Sequence, residues 1–196
     1  MTEIPAKKII IEPYSPEWPL AFEKLREVYL QHLGNYILDI LHVGSTSVPG
    51  LAAKSVLDID IIIEHKENFT EILRILHSLG YWHNGNQGIT DREAFKRISE
   101  NVPISDVQHV WPAHHLYVCP HDSISLKNHL TLRNYLRQHP EKAKAYETLK
   151  KELAAENPDD MNRYIAGKTS FITAILQEAG FDKNSIEKIT RENEIH

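Results

Sequence analysis

Apolar residues first recur at helical spacing: Trp18, Phe22, Leu25, Tyr29 and Leu33 stand three or four apart. That stripe predicts a helix entered through Pro16 and Pro19 and closed by Gly34. The period then falls to two. Tyr36–Val43 predicts a first core strand and Val56–Ile63 a second. In the second, Leu57, Ile59, Ile61 and Ile63 share one face, while Asp58, Asp60 and Ile62 share the other. Phe69, Ile72, Leu73, Leu76 and Leu79 predict another helix, starting at Asn68 or Thr70 and stopping at Gly80. Lys8–Glu12 reads as a short edge strand broken by Pro13 and Pro16. Tyr81–Asp91 reads as a loop with one short strand, and Ala94–Ser99, Val107–Trp111 and His114–Cys119 as further strands.

From Ser123 onward the pattern is helical throughout. Ser123 or Ser125 caps a helix reaching His139-Pro140, Glu141–Glu156 forms the next, and Met161–Ala179 the last, after the break at Asn157-Pro158-Asp159-Asp160. The change of period divides the chain into an α/β part over 1–122, a helical lobe over 123–180 and a charged tail over 181–196, expected as a solvated or frayed helix. Lys168 falls in phase with Met161 and Ile175, and Arg133 with Leu126 and Leu130. A cation on an inward stripe either snorkels at the core edge or faces a cleft that needs positive charge. The cleft is the expectation for Lys168 and Arg133; for Lys54, Lys150 and Arg137 both readings stay open.

Composition narrows the classes. A chain of 196 residues with ordinary globular composition supports one core with a packed lobe. The net charge of −5 argues against an extended nucleic-acid surface. One cysteine, Cys119, allows no intrachain disulfide and suits a reducing compartment. No leader pattern is visible over Met1–Ile11 and no apolar run would span a bilayer, so a cytoplasmic protein without membrane contact is expected.

The candidate chemistry gathers between His42 and Asp60, in HVGSTSVPGLAAKSVLDID. Gly44 permits close approach of the backbone, and Ser45, Thr46 and Ser47 offer hydroxyl and amide donors to phosphate oxygens. Asp58 and Asp60 stand roughly 6–7 Å apart along one strand face. Carboxylates that close suit a hard divalent cation, Mg2+ or Mn2+, shared with substrate phosphate. The plainer alternative is a surface loop before a strand with solvated acids.

The order Gly-Ser, about a dozen residues, then Asp-apolar-Asp resembles the signature of nucleotidyltransferases with the polymerase-beta-like fold. The longer string HVGSTSVPGLAAK…DID resembles the GrpB family. So do Tyr14-Ser15-Pro16-Glu17-Trp18-Pro19, His115-Leu116-Tyr117-Val118, Leu132 to Pro140, and Tyr164 with Lys168 and Phe171. The resemblance implies an α/β (α+β) fold with a small mixed sheet flanked by helices and a C-terminal helical lobe. It also implies metal-dependent transfer of a nucleotidyl group from a nucleoside triphosphate to an unknown acceptor, small molecule or protein. Asp58 and Asp60 would hold the metal, Gly44, Ser45, Thr46, Ser47, Lys54, Arg133 and Lys168 the nucleotide, and His115 would act as general base. Active polymerase-beta-like enzymes take a third carboxylate from the strand where this chain has His115 and Tyr117. That substitution favours the rival reading, a nucleotide- or phospholigand-binding module without turnover; a metal-dependent phosphohydrolase using Asp58 and Asp60 is a third, weaker option.

Overall fold

The computed structural model describes residues 8–105 and 109–194. Five strands form one mixed sheet: β1 (Asp39–Val43), β2 (Leu57–Ile63), β3 (Tyr81–His83), β4 (Glu93–Arg97) and β5 (His114–Pro120), in the order β1-β2-β5-β4-β3. β2 and β5 pair in parallel at the centre, and the other three pairings are antiparallel. Six helices accompany the sheet: α1 (Glu17–Leu33), α2 (Phe69–Ser78), α3 (Ile124–Gln138), α4 (Pro140–Glu156), α5 (Met161–Glu178) and α6 (Lys183–Glu194).

The alternation in β2 decides which face is core. Leu57, Ile59, Ile61 and Ile63 are buried against Phe22, Leu25, Tyr29 and Leu33 of α1 and Ile72 and Leu76 of α2. Each large apolar side chain so enclosed contributes roughly 1.5–3 kcal/mol. The opposite face carries Asp58, Asp60 and Ile62, aligned with His115, Tyr117 and Cys119 on β5 and with Val43, Leu41 and Asp39 on β1. Helix α3 covers part of that face through Leu126, packed on Ile62 and Cys119.

Ser123 caps α3 by accepting from the Leu126 amide, and Asp160 caps α5 by accepting from the Arg163 amide. Where α5 crosses α4, Gly167 lets the Leu153 side chain approach closely: a Cβ there would stand 2.4 Å from Leu153 Cδ2, so a larger residue would make that side chain shift. Among the described residues no helix is long and apolar enough to cross a membrane.

Several boundaries differ from the sequence expectation. Residues 8–12 form a single bridge, Glu12 to Ala53, and not an edge strand. The first strand begins at Asp39, because Leu33–Tyr36 closes α1 in a turn. Of Val107–Trp111, residues 107 and 108 lie outside the described residues, and 109–111 are irregular, with Trp111 Nε1 donating to the Pro103 carbonyl. The charged tail does form a helix, but α6 is docked: Phe181 and Ile189 pack with Leu176 of α5.

Candidate functional site

Gly44, which joins β1 to a short 3-10 turn over Ser45–Ser47, has φ +68° and ψ −172°, a conformation open to glycine and little else. A Cβ there would lie 2.2 Å from Asp58 Oδ2. The small residue therefore makes room first for the Asp58 carboxylate, and the turn is pressed onto the strand that carries both acids. Within the turn, Thr46 and Ser47 look inward. The Thr46 hydroxyl is 2.9 Å from His42 Nε2, the Ser47 hydroxyl donates to the Gly44 carbonyl at 2.6 Å, and the Ser47 amide is engaged by the same oxygen. Of the hydroxyl and amide donors expected for phosphate, the Thr46 and Ser47 hydroxyls and the Ser47 amide serve the turn itself. Gly44 and Ser45 line the cleft.

The two carboxylates share a face, as alternation requires, and each meets a different histidine. Asp58 Oδ1 lies 2.9 Å from His115 Nδ1, and Asp60 Oδ2 lies 2.8 Å from His129 Nδ1. Burial works to raise the Asp58 carboxyl, but the His115 hydrogen bond and the charges of His115, His129 and Lys54 outweigh it and hold it below its ordinary value. Burial pulls the His129 imidazole down while Asp60 pulls it up more strongly, leaving it raised. Asp60 is fully buried, and its Oδ1 has no hydrogen-bond partner among the described residues. A buried acceptor left bare costs about 1–3 kcal/mol, more when charged.

A cleft of about 230 Å³ opens beside this pair, lined among others by Gly44, Ser45, Asp58, Arg92, His129, Arg133, Tyr146 and Lys168. Three cationic groups, Arg92, Arg133 and Lys168, thus face one half-buried carboxylate, Asp58. Arg133 donates to the His42 carbonyl at 2.9 Å, which anchors it at the rim. Lys168 sits 4.4 Å above the Tyr164 ring, and burial with the neighbouring Lys54 charge pulls its ammonium down to about 8. Lys54 does not line this cleft: its ammonium contacts Met161 Sδ at 3.5 Å, although its charge reaches Asp58. Lys150 is buried and donates to the Ala52 carbonyl, and Arg137 donates to the Ser47 carbonyl, so both are scaffold.

Two residues of the cleft escaped the sequence reading. His129 stands four residues before Arg133 on one helical face, a spacing that would have revealed it. Arg92 precedes β4 in a loop, where no periodicity applies. It is 8% exposed, lies 4.4 Å over the Tyr117 ring, and leaves Nε without a hydrogen-bond partner among the described residues.

The family profile described as GrpB protein matches residues 8–178. The chain belongs to the GrpB family. It is 33% identical over 175 residues to the UPF0157 protein YqkA of Bacillus subtilis, covering 89% of this chain and 48% of that one, so it spans about half that relative's length. It is 28% identical over 172 residues to the glutamate-rich protein GrpB of Alkalihalophilus pseudofirmus, covering 87% and 95% of the two chains. The crystal structure of GrpB from Enterococcus faecalis superposes with a TM-score of 0.73 at 33% identity, covering 91% of this chain and 98% of that one.

Proposed function

We propose that the cleft binds a nucleoside triphosphate together with a divalent cation and transfers its nucleotidyl group to an acceptor hydroxyl. The observation that carries this reading is Asp58 lining the cleft with Arg92, Arg133 and Lys168, next to Asp60 on the same strand face, whose buried Oδ1 has no hydrogen-bond partner among the described residues. Asp58 and the unpartnered Asp60 Oδ1, adjacent on one strand face, would suit a hard divalent cation of the kind that binds carboxylate and phosphate oxygens. Magnesium or manganese there would supply charge neutralisation at the phosphates.

The chain's own groups do the rest. Gly44 and Ser45 of the turn face the terminal phosphates, and Arg92, Arg133 and Lys168 offset their charge. With His115 Nδ1–H donating to Asp58, Nε2 keeps its lone pair and accepts the proton of the acceptor hydroxyl. The hydroxyl oxygen bonds to the α-phosphorus, the bond from that phosphorus to the β-phosphate oxygen breaks, and pyrophosphate leaves with the electron pair. We assign the α/β part over 1–122 to the acids and the turn, the helices over 123–180 to the cationic wall, and 181–196 to support of α5.

A specific observation favours a second reading, a phospholigand-binding module without turnover. The β5 positions facing Asp58 and Asp60 hold His115 and Tyr117, so neither supplies a third carboxylate, and among the described residues no group of three His, Cys, Asp or Glu side chains converges as metal ligands. Incubation with each labelled nucleoside triphosphate and magnesium or manganese separates the two. Pyrophosphate release supports transfer, saturable binding without release supports the module, and free phosphate points to hydrolysis. No binding in either metal overturns both readings.

A further inference from the structure

A second cleft, of about 430 Å³, lies on the other side of Tyr117, lined by Asn84, Gln87, Lys96, Arg97 and His115 with Ala94, Phe95 and His114. Tyr117 is a wall common to both clefts. Their remaining chemistry is divided: Asp58 lines the first and not the second, while His115 lines the second and not the first. The 2.9 Å hydrogen bond between them crosses the partition. A base that takes a proton from an acceptor must face the acceptor, and His115, half exposed, faces the second cleft.

We propose that this second cleft is the acceptor subsite and that its ligand is a small alcohol bearing an anionic group. The proposal rests on the transfer reading given above. Among the described residues its lining carries Lys96 and Arg97 and no carboxylate, which makes it cationic. Arg97 is committed, donating to the Trp111 and Pro112 carbonyls at 3.1 Å each. Lys96 is exposed and has no ion-pair partner among the described residues, which leaves its ammonium for the ligand. Ala94 pairs with Tyr117 and Phe95 with Leu116, and continuing that antiparallel register sets Lys96 opposite His115. Residues so opposed stand roughly 5 Å apart at Cα. The anion and the reacting hydroxyl are therefore separated by only a few bonds. Asn84 and Gln87 add amide donors and acceptors suited to further hydroxyl groups. The volume fits a small molecule, and the net charge of −5 disfavours a polyanionic chain.

Titration calorimetry on the full chain tests this with glycerol 3-phosphate, 3-phosphoglycerate and lactate as probes, glycerol as the neutral control, and magnesium ATP as the donor. At least one anionic probe should bind saturably, glycerol should not, and Lys96→Glu should weaken that probe roughly tenfold or more while shifting ATP affinity less than about twofold. Lys96→Met, which keeps the stem, should show the same selective loss and guards against a folding defect in the first variant. Comparable glycerol binding, no saturable anionic probe, or equal affinity in both variants would overturn the subsite. Absence of ATP binding in a chain that still holds an anionic probe through Lys96 would sink the transfer reading and leave the binding site standing.

Discussion

Single side chains decide whether the cleft works, and Gly44 and Lys168 make the clearest cases. Gly44→Val places carbon where Asp58 Oδ2 sits and demands a left-handed φ from a β-branched residue. It should lower the urea midpoint by the equivalent of about 1–3 kcal/mol and abolish triphosphate binding. Unchanged affinity would move the phosphates away from this turn. Lys168 lines the cleft beside Arg92 and Arg133, so Lys168→Ala should weaken a triphosphate about tenfold more than the matching nucleoside. Equal losses measured side by side would leave it as scaffold. Much of this was readable beforehand. Strict alternation put Asp58 and Asp60 on one face, and helical phase brought Lys168 and Arg133 to the cleft. The orientation of Thr46 and Ser47 was not readable, since a hydroxyl in a turn can serve its own backbone as easily as a ligand. Arg92 was hidden for a related reason: a loop residue stacked on the ring of Tyr117, far along the chain in another strand, leaves no local pattern.

At the scale of elements, the longest and most periodic segments were the most legible, and errors fell where local pattern competes with packing. The charged stretch after Gly180 is polar enough to read as solvated, yet α6 is held by sparse apolar positions, Ile186 and Ile189, with Phe181 before them. Three well-spaced apolar residues dock a short helix against a neighbour already rich in them. Phe181 is 8% exposed, contacts this cluster, and has Lys127 Nζ 4.8 Å over its ring. Phe181→Ala should cost about 3 kcal/mol, lowering the melting temperature by roughly 6–12 °C at the 2–4 °C per kcal/mol typical of this size. A shift under about 2 °C would mean that α6 adds nothing to α5. The same docking brings Ile189 and Glu192 to the far side of the wall formed by His129 and Lys168, so the tail also supports the helices that close the cleft.

For the whole molecule, the pH dependence of stability follows from two histidines buried as neutral groups. His42 stacks on Phe22 at 4.9 Å between centroids, and burial, helped by Arg137 and Arg133 against the pull of Asp58, takes it from 6.5 to about 4. His114 accepts from the Tyr81 hydroxyl through Nε2 and donates from Nδ1 to the Pro112 carbonyl at 2.8 Å. Burial, with Arg97 and His115 adding to it, takes this ring to about 4 as well. Between those values and 6.5 the unfolded chain binds protons at both sites that the native chain does not, so stability rises with pH across the window. Other shifted groups act mainly elsewhere. The depressed Asp58 carboxyl contributes above its unfolded value of 3.8 and loses that contribution below it. The raised His129 favours folding up to 6.5 and loses its share as pH climbs past its native value. Lys150, pushed to about 7 chiefly by burial, adds stability only as pH rises from there toward 10.5. Lowering the pH from 6.5 to 4.5 should therefore remove on the order of 2–4 kcal/mol, read as a falling urea midpoint at constant m value. His114→Gln starts less stable but carries one such group fewer, so its midpoint should fall about half as far over the same range. Parallel slopes for the two proteins would show that His114 takes no part in the acid response.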